Sequence, residues 1–113
     1  MVDVPILPAA AVEALGALAQ EHRLAVFRLL VQSGVEGMAA GAIAEALGMP
    51  NSSLSFHLAQ LHRAGLIAQQ RRQRSLIYRA DYSAMNGLIA FLTENCCSGD
   101  DCSSAAQDGA QAA

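Results

Sequence analysis

The chain has 113 residues, 53% of them apolar and 15% charged, and a net charge of −3. That length suits one domain, and that composition excludes a wholly disordered chain. Glu13, Glu21, His22 and Arg23 interrupt the apolar N-terminal half, which leaves no run of the roughly 18 residues a membrane span needs. No basic region precedes an apolar core at the start, so the expectation is a soluble, cytoplasmic protein with no signal peptide and no membrane partner.

The acidic balance argues at first against nucleic acid, but the charge is segregated. All seven cations are arginines, and Arg71, Arg72, Arg74 and Arg79 crowd together with no cation after them. A local basic patch on an acidic molecule is compatible with a DNA footprint. The plainer alternative is a solvated hairpin rich in arginine.

In chain order, Met1–Pro8 is a short lead with two prolines. From Ala9 to about Ser33 apolar residues recur at helical spacing (Val12, Leu15, Leu18, then Leu24, Phe27, Leu30, Val31), which predicts two helices with a break near Gln20–His22. A glycine-bearing turn over Ser33–Gly37 leads to a short helix with Ile43, Ala44 and Leu47 inward and Gly48 as its stop. Pro50 blocks continuation, Asn51 is the expected N-cap, and Leu54, Leu58 and Leu61 form the buried stripe of the next helix, which Gly65 ends. Two short helices around a tight turn have the spacing of a helix-turn-helix. Leu66–Arg71 and Ser75–Ala80 read as strands of a hairpin, or wing. Asp81 caps a last helix with Tyr82, Met85, Ile89 and Leu92 on one face. The fold expected is mainly α, a winged helix-turn-helix of about five helices with a two-stranded wing. One domain should span 1–102, followed by a small, polar, disordered tail over 103–113.

In a helix-turn-helix the second helix lies in the major groove and offers its N-terminal residues to base edges. Here these are Asn51, Ser52, Ser53, Ser55 and His57, and Arg71, Arg72 and Arg74 on the wing would reach a phosphate or the minor groove. Taken singly, Asn51 and the serines could merely cap a helix, and His57 could be an ordinary surface histidine. The run Leu47-Gly48-Met49-Pro50-Asn51-Ser52-Ser53-Leu54-Ser55-Phe56-His57-Leu58, with Leu61 and Ala64-Gly65-Leu66-Ile67, resembles the ArsR/SmtB signature. Glu21-His22-Arg23-Leu24 with Phe27, Leu29 and Leu30 is similar to that family's second helix, and Arg71, Arg74 and Tyr78 match its wing. The resemblance covers about Leu18 to Leu92. One departure is Gln73, where family wings usually carry glycine, the residue best suited to φ > 0. The resemblance implies a repressor of double-stranded operator DNA and a homodimer built on the first and last helices. Tyr82, Met85, Ile89 and Leu92 are then the interface residues; their periodicity alone is equally compatible with burial in the monomer. A dimer supplies the two reading heads that a palindrome needs.

Cys96, Cys97 and Cys102 are the only cysteines. In a cytoplasmic protein such a cluster points to metal or redox chemistry rather than a structural disulfide. Redox work needs a low-pKa thiolate beside cations or a helix N-terminus. These cysteines instead follow a helix C-terminus and neighbour Asp100 and Asp101. Soft thiols select soft ions, and three of them suit trigonal As(III) or Sb(III), whereas Zn(II) prefers four ligands. Arsenous acid and three thiols give a neutral complex and water, tolerable beside the aspartates. Adjacent residues point about 100° apart on a helix, so convergence of Cys96 and Cys97 requires the helix to end there.

The family's inducer sites on the third helix (Cys-x-Cys) and on the last helix (carboxylate and histidine) are absent. What remains resembles the atypical arsenic-responsive members with C-terminal cysteines. The expected function is an arsenite- or antimonite-released repressor with no enzyme activity and no cofactor needed for DNA binding. The alternatives are a Cd(II)/Pb(II)/Zn(II)-responsive repressor, or a thiol metal carrier or redox protein.

Overall fold

Alternating helical and strand-like segments fold into α1 (Pro8–Leu18), α2 (Glu21–Ser33), β1 (Met38–Ala39), α3 (Ala40–Leu47), α4 (Asn51–Arg63), β2 (Ile67–Arg72), β3 (Ser75–Ala80) and α5 (Tyr82–Leu92), with a 3-10 turn at Gly34–Glu36. The structure is a computed structural model and describes residues 6–96. The expected tail over 103–113 lies outside the described residues, as do Cys97 and Cys102.

The break between the first two helices falls at Ala19–Gln20, where the Gln20 side chain caps α2 by accepting the Arg23 N–H at 2.9 Å. Val26, Phe27 and Leu30 of α2 then pack on Ile43 and Ala44 of α3 and on Leu54, Leu58 and Leu61 of α4 in one apolar core. Leu66, Ile67, Ala80 and Leu88 complete it, and no polar residue is buried among the described residues.

Both helices of the helix-turn-helix end in the same way. At Gly48 (φ 62°, ψ 39°) the Met49 N–H reaches back to the Ala44 carbonyl at 3.0 Å and the Gly48 N–H to Glu45 at 3.3 Å. At Gly65 the Leu66 and Gly65 N–H groups repeat the pattern on Leu61 and His62. Each is the left-handed closure that satisfies the last carbonyls of a helix.

Three details differ from the sequence reading. Asn51 is the first residue of α4 rather than its N-cap: Pro50, extended at φ −62° and ψ 146°, occupies the cap and its carbonyl accepts the Leu54 N–H at 3.0 Å. The hairpin is also not alone. β1 pairs with β3 through Met38↔Tyr78 and Ala39↔Ile77, giving a three-stranded antiparallel sheet of order β1-β3-β2. Gly37 makes this possible, since it has φ +68° and lies so close to β3 that a Cβ would run into the Tyr78 carbonyl. Third, β2 starts at Ile67, because Leu66 closes the end of α4, and Gln73 takes φ 56° in the two-residue wing turn despite its side chain.

Asp81 caps α5 as its sequence position suggests, accepting the Ala84 N–H at 3.0 Å.

Candidate nucleic-acid interface

The N-terminal turn of α4 is open. Asn51, Ser52, Ser53 and Ser55 are all exposed, while Leu54, Leu58 and Leu61 face the core. Because the Pro50 cap has no side-chain acceptor to offer, the first N–H groups of α4 receive no side-chain cap. Such groups are suited to an anion or to water.

His57 is placed differently from the serines. It is half-buried against the start of α2, stacked on His22 at 5.8 Å between ring centroids with 10° between planes. Arg23 Nη1 lies 3.5 Å from His57 Nδ1, and Arg23 Nε donates to the Ala17 carbonyl at 2.8 Å. Burial, then the Arg23 charge, then His22 lower the His57 pKa from its ordinary 6.5, so the neutral ring prevails at neutral pH. A guanidinium donates only, so His57 Nδ1 must accept and the ring proton sits on Nε2. This cluster, which ties the reading helix to the α1–α2 corner, escapes sequence reasoning because its members lie 34 residues apart.

The wing arginines are exposed, but strand alternation separates them. Gln69 and Tyr78 line a cleft of about 490 Å³ with Ser55, His62 and Arg63 of α4. Arg71 is two residues along β2 from Gln69 and therefore on that same face. Arg72 is on the opposite face, where its Nη1 lies 3.5 Å from Glu36 Oε1. Arg74 is exposed in the turn.

The last helix divides the expected interface stripe. Tyr82 and Met85 are half-buried on the chain's own core, and the Tyr82 hydroxyl donates to the Val31 carbonyl at 2.8 Å. Ile89 and Leu92 are 51% and 57% exposed, and on α1 Val12 is 70% exposed. The helix stops at Leu92, so Cys96 is off it, half-buried after Asn95 at φ 58°, with its N–H on the Thr93 carbonyl at 3.0 Å.

Helix α3, the glycine turn, α4 and the arginine-tipped hairpin together make a winged helix-turn-helix, the architecture of DNA-binding regulators. Residues 18–70 match a family model described as a helix-turn-helix domain. The HTH-type transcriptional regulator YgaV of Escherichia coli (strain K12) is 33% identical over 98 residues, covering 86% of this chain and 99% of that protein. The homodimeric winged helix-turn-helix DNA-binding domain of a possible ArsR-family regulator from Mycobacterium bovis superposes with a TM-score of 0.61 at 29% identity, over 77% of this chain and 81% of that one. A possible transcriptional regulator for arsenical resistance does so with a TM-score of 0.62 at 28% identity, over 71% and 80%. The chain belongs to the ArsR family of transcriptional regulators.

Proposed function

We propose that this chain is a dimeric, cytoplasmic repressor that holds operator DNA with α4 and the wing and releases it when As(III) or Sb(III) is captured by Cys96, Cys97 and Cys102. The observation that carries the DNA half is the exposed, hydroxyl-rich start of α4 beside an arginine-tipped hairpin. Asn51, Ser52, Ser53 and Ser55 face bases and phosphates, and Arg71 and Arg74 add phosphate contacts, whereas Arg72, on the other face beside Glu36, is kept from the same phosphate. His57 contributes an Nε2–H donor held by Arg23. Ile89 and Leu92 of α5, with Val12 of α1, supply the apolar surface for the second copy, in keeping with the homodimeric relative. Tyr82 and Met85 support that surface from beneath.

The metalloid half rests on donor chemistry and placement. Three soft thiols suit a trigonal metalloid. Cys96 lies four residues beyond Leu92, the end of the helix that carries Ile89 and Leu92, so capture there would act on the dimer surface and through it on the spacing of the two reading helices. A coupling on the order of 1–3 kcal/mol suffices. Likeness to a possible arsenical-resistance regulator agrees with this ligand class.

Equilibrium dialysis of the reduced protein against arsenite, antimonite, Cd(II) and Zn(II) tests the ligand. One arsenic bound per three cysteines, abolished by Cys96→Ser, Cys97→Ser or Cys102→Ser, is the expected result. Retention of Zn(II) or Cd(II) in preference to arsenite, or arsenite retained by the triple serine variant, contradicts it.

A further inference from the structure

Phe56 stands out on α4. Its ring is 57% exposed, between Ser55 and His57 and one turn beyond Ser52, on the side of the helix away from the Leu54–Leu58–Leu61 stripe. Of the other exposed large apolar residues among the described residues, Leu7, Val12, Leu15, Ile89 and Leu92 lie on or beside α1 and α5, Leu24 is on α2 and Val35 in the 3-10 turn, so Phe56 is the one such residue on the reading helix, and a dimer formed through α1 and α5 does not cover it. A single exposed apolar side chain needs no partner of its own; what marks Phe56 is its place, among the hydroxyl groups and small residues on the outward face of the reading helix.

The ring is also supported. Phe56 meets His57 edge to face at 5.8 Å between centroids with 66° between planes. His57 is in turn stacked on His22 and held at 3.5 Å by Arg23, whose Nε is anchored on the Ala17 carbonyl. A side chain backed in this way loses less freedom on binding than one loose in solvent. Among base edges in the major groove the one apolar group is the C5-methyl of thymine, and Phe is among the side chains that pack on it.

We propose that Phe56 is a specificity-determining residue that packs against the C5-methyl group of a thymine in each operator half-site. The Arg23–His57 pair acts as its positioning support. The inference rests on the reading of α4 as the DNA-reading helix. It commits to DNA as the occupant because the ring shares its helix face with the exposed Ser52 and Ser53, one turn earlier, and because the exposed arginines of the wing follow on the next hairpin.

The test begins with the protein selecting its preferred duplex from a library of random sequences. The thymines of that duplex are then replaced, one symmetric pair at a time, by deoxyuridine, which removes only the methyl group. Anisotropy titrations compare wild type with Phe56→Ala, an exposed-site variant whose fold is checked by circular dichroism. At one symmetric pair wild type should bind about fourfold more weakly per half-site, roughly fifteenfold over both, because one methyl group in each no longer packs on the ring. Phe56→Ala, already weaker on the thymine duplex, should not respond at that pair. The conservative Phe56→Leu should recover part of the response. Equal responses of wild type and Phe56→Ala at every thymine overturn the proposal and leave α4 as the reading helix. Failure to select any duplex overturns both. A changed oligomeric state in Phe56→Ala with unchanged DNA affinity shows that a second copy covers the ring instead, and also overturns it.

Discussion

Replacing Gly37 by alanine probes how the wing is built onto the domain. Two effects add. At φ +68° a residue with a Cβ pays about 1–2 kcal/mol for the left-handed backbone. The new methyl would also run into the Tyr78 carbonyl and come within 2.9 Å of Ile77 Cγ2 and 3.2 Å of Arg79 Cβ. Tyr78 is central in the sheet, paired with Met38 on one side and Gln69 on the other, so its carbonyl cannot retreat. Relief comes only by giving up the Met38↔Tyr78 and Ala39↔Ile77 pairing, at about 1 kcal/mol per main-chain hydrogen bond. The sum is about 3–4 kcal/mol, a large share of the 5–15 kcal/mol typical of a whole domain. Thermal unfolding by circular dichroism, at one protein concentration because dimers melt in a concentration-dependent way, should show a Tm lower by roughly 12–30 °C. Gly41→Ala is the control: it lies within α3 with open space where a Cβ would go, and should raise stability by up to about 1 kcal/mol. A Gly37→Ala protein melting within about 4 °C of wild type refutes this account of how β1 is seated.

Asp81→Ala should cost about 1 kcal/mol in urea unfolding by removing the cap on the Ala84 N–H, and Asp81→Asn should keep most of it. The lowered pKa of His57 has a definite sign: the unfolded chain binds the proton more tightly, so the contribution to stability is fully present above about pH 6.5 and is lost as pH falls through the depressed value. The Tm difference between wild type and His57→Gln should therefore shrink between pH 7.5 and pH 5; a difference that is flat or grows over that range contradicts the assignment. Arg71→Ala should lower the salt dependence of DNA binding, reducing the slope of log K against log salt by roughly 0.9 for each phosphate it no longer neutralises. An unchanged slope removes Arg71 from the interface.

Much of the architecture is legible in the sequence because it follows from local rules. The Leu54–Leu58–Leu61 stripe, the Gly48 and Gly65 stops and the Asp81 cap each depend on residues within one or two turns, and each is found in the structure. What escapes depends on partners distant in sequence. β1 is two residues long, too short for an alternating pattern, and exists because Gly37 lets the chain approach β3. Spacing alone places the face of α5, and it cannot tell a stripe packed on the chain's own core from one left outward. Tyr82 and Met85 do the first, Ile89 and Leu92 the second. His57 follows the same lesson, since its role is set by Arg23 and His22 across the α2–α4 contact rather than by its neighbours on α4. The cysteine cluster is the reverse case. Its chemistry is read from composition and order, while of its members only Cys96 falls within the described residues.

The central claim is that metalloid capture by the cysteines releases DNA, and fluorescence anisotropy addresses it most directly. The reduced protein is titrated onto the duplex upstream of its own gene, with and without arsenite, antimonite, Cd(II) and Zn(II), and in parallel with Cys96→Ser. Release by arsenite or antimonite alone, with the serine variant staying bound, is the predicted result. Release only by a divalent ion, or equal release from Cys96→Ser, contradicts it.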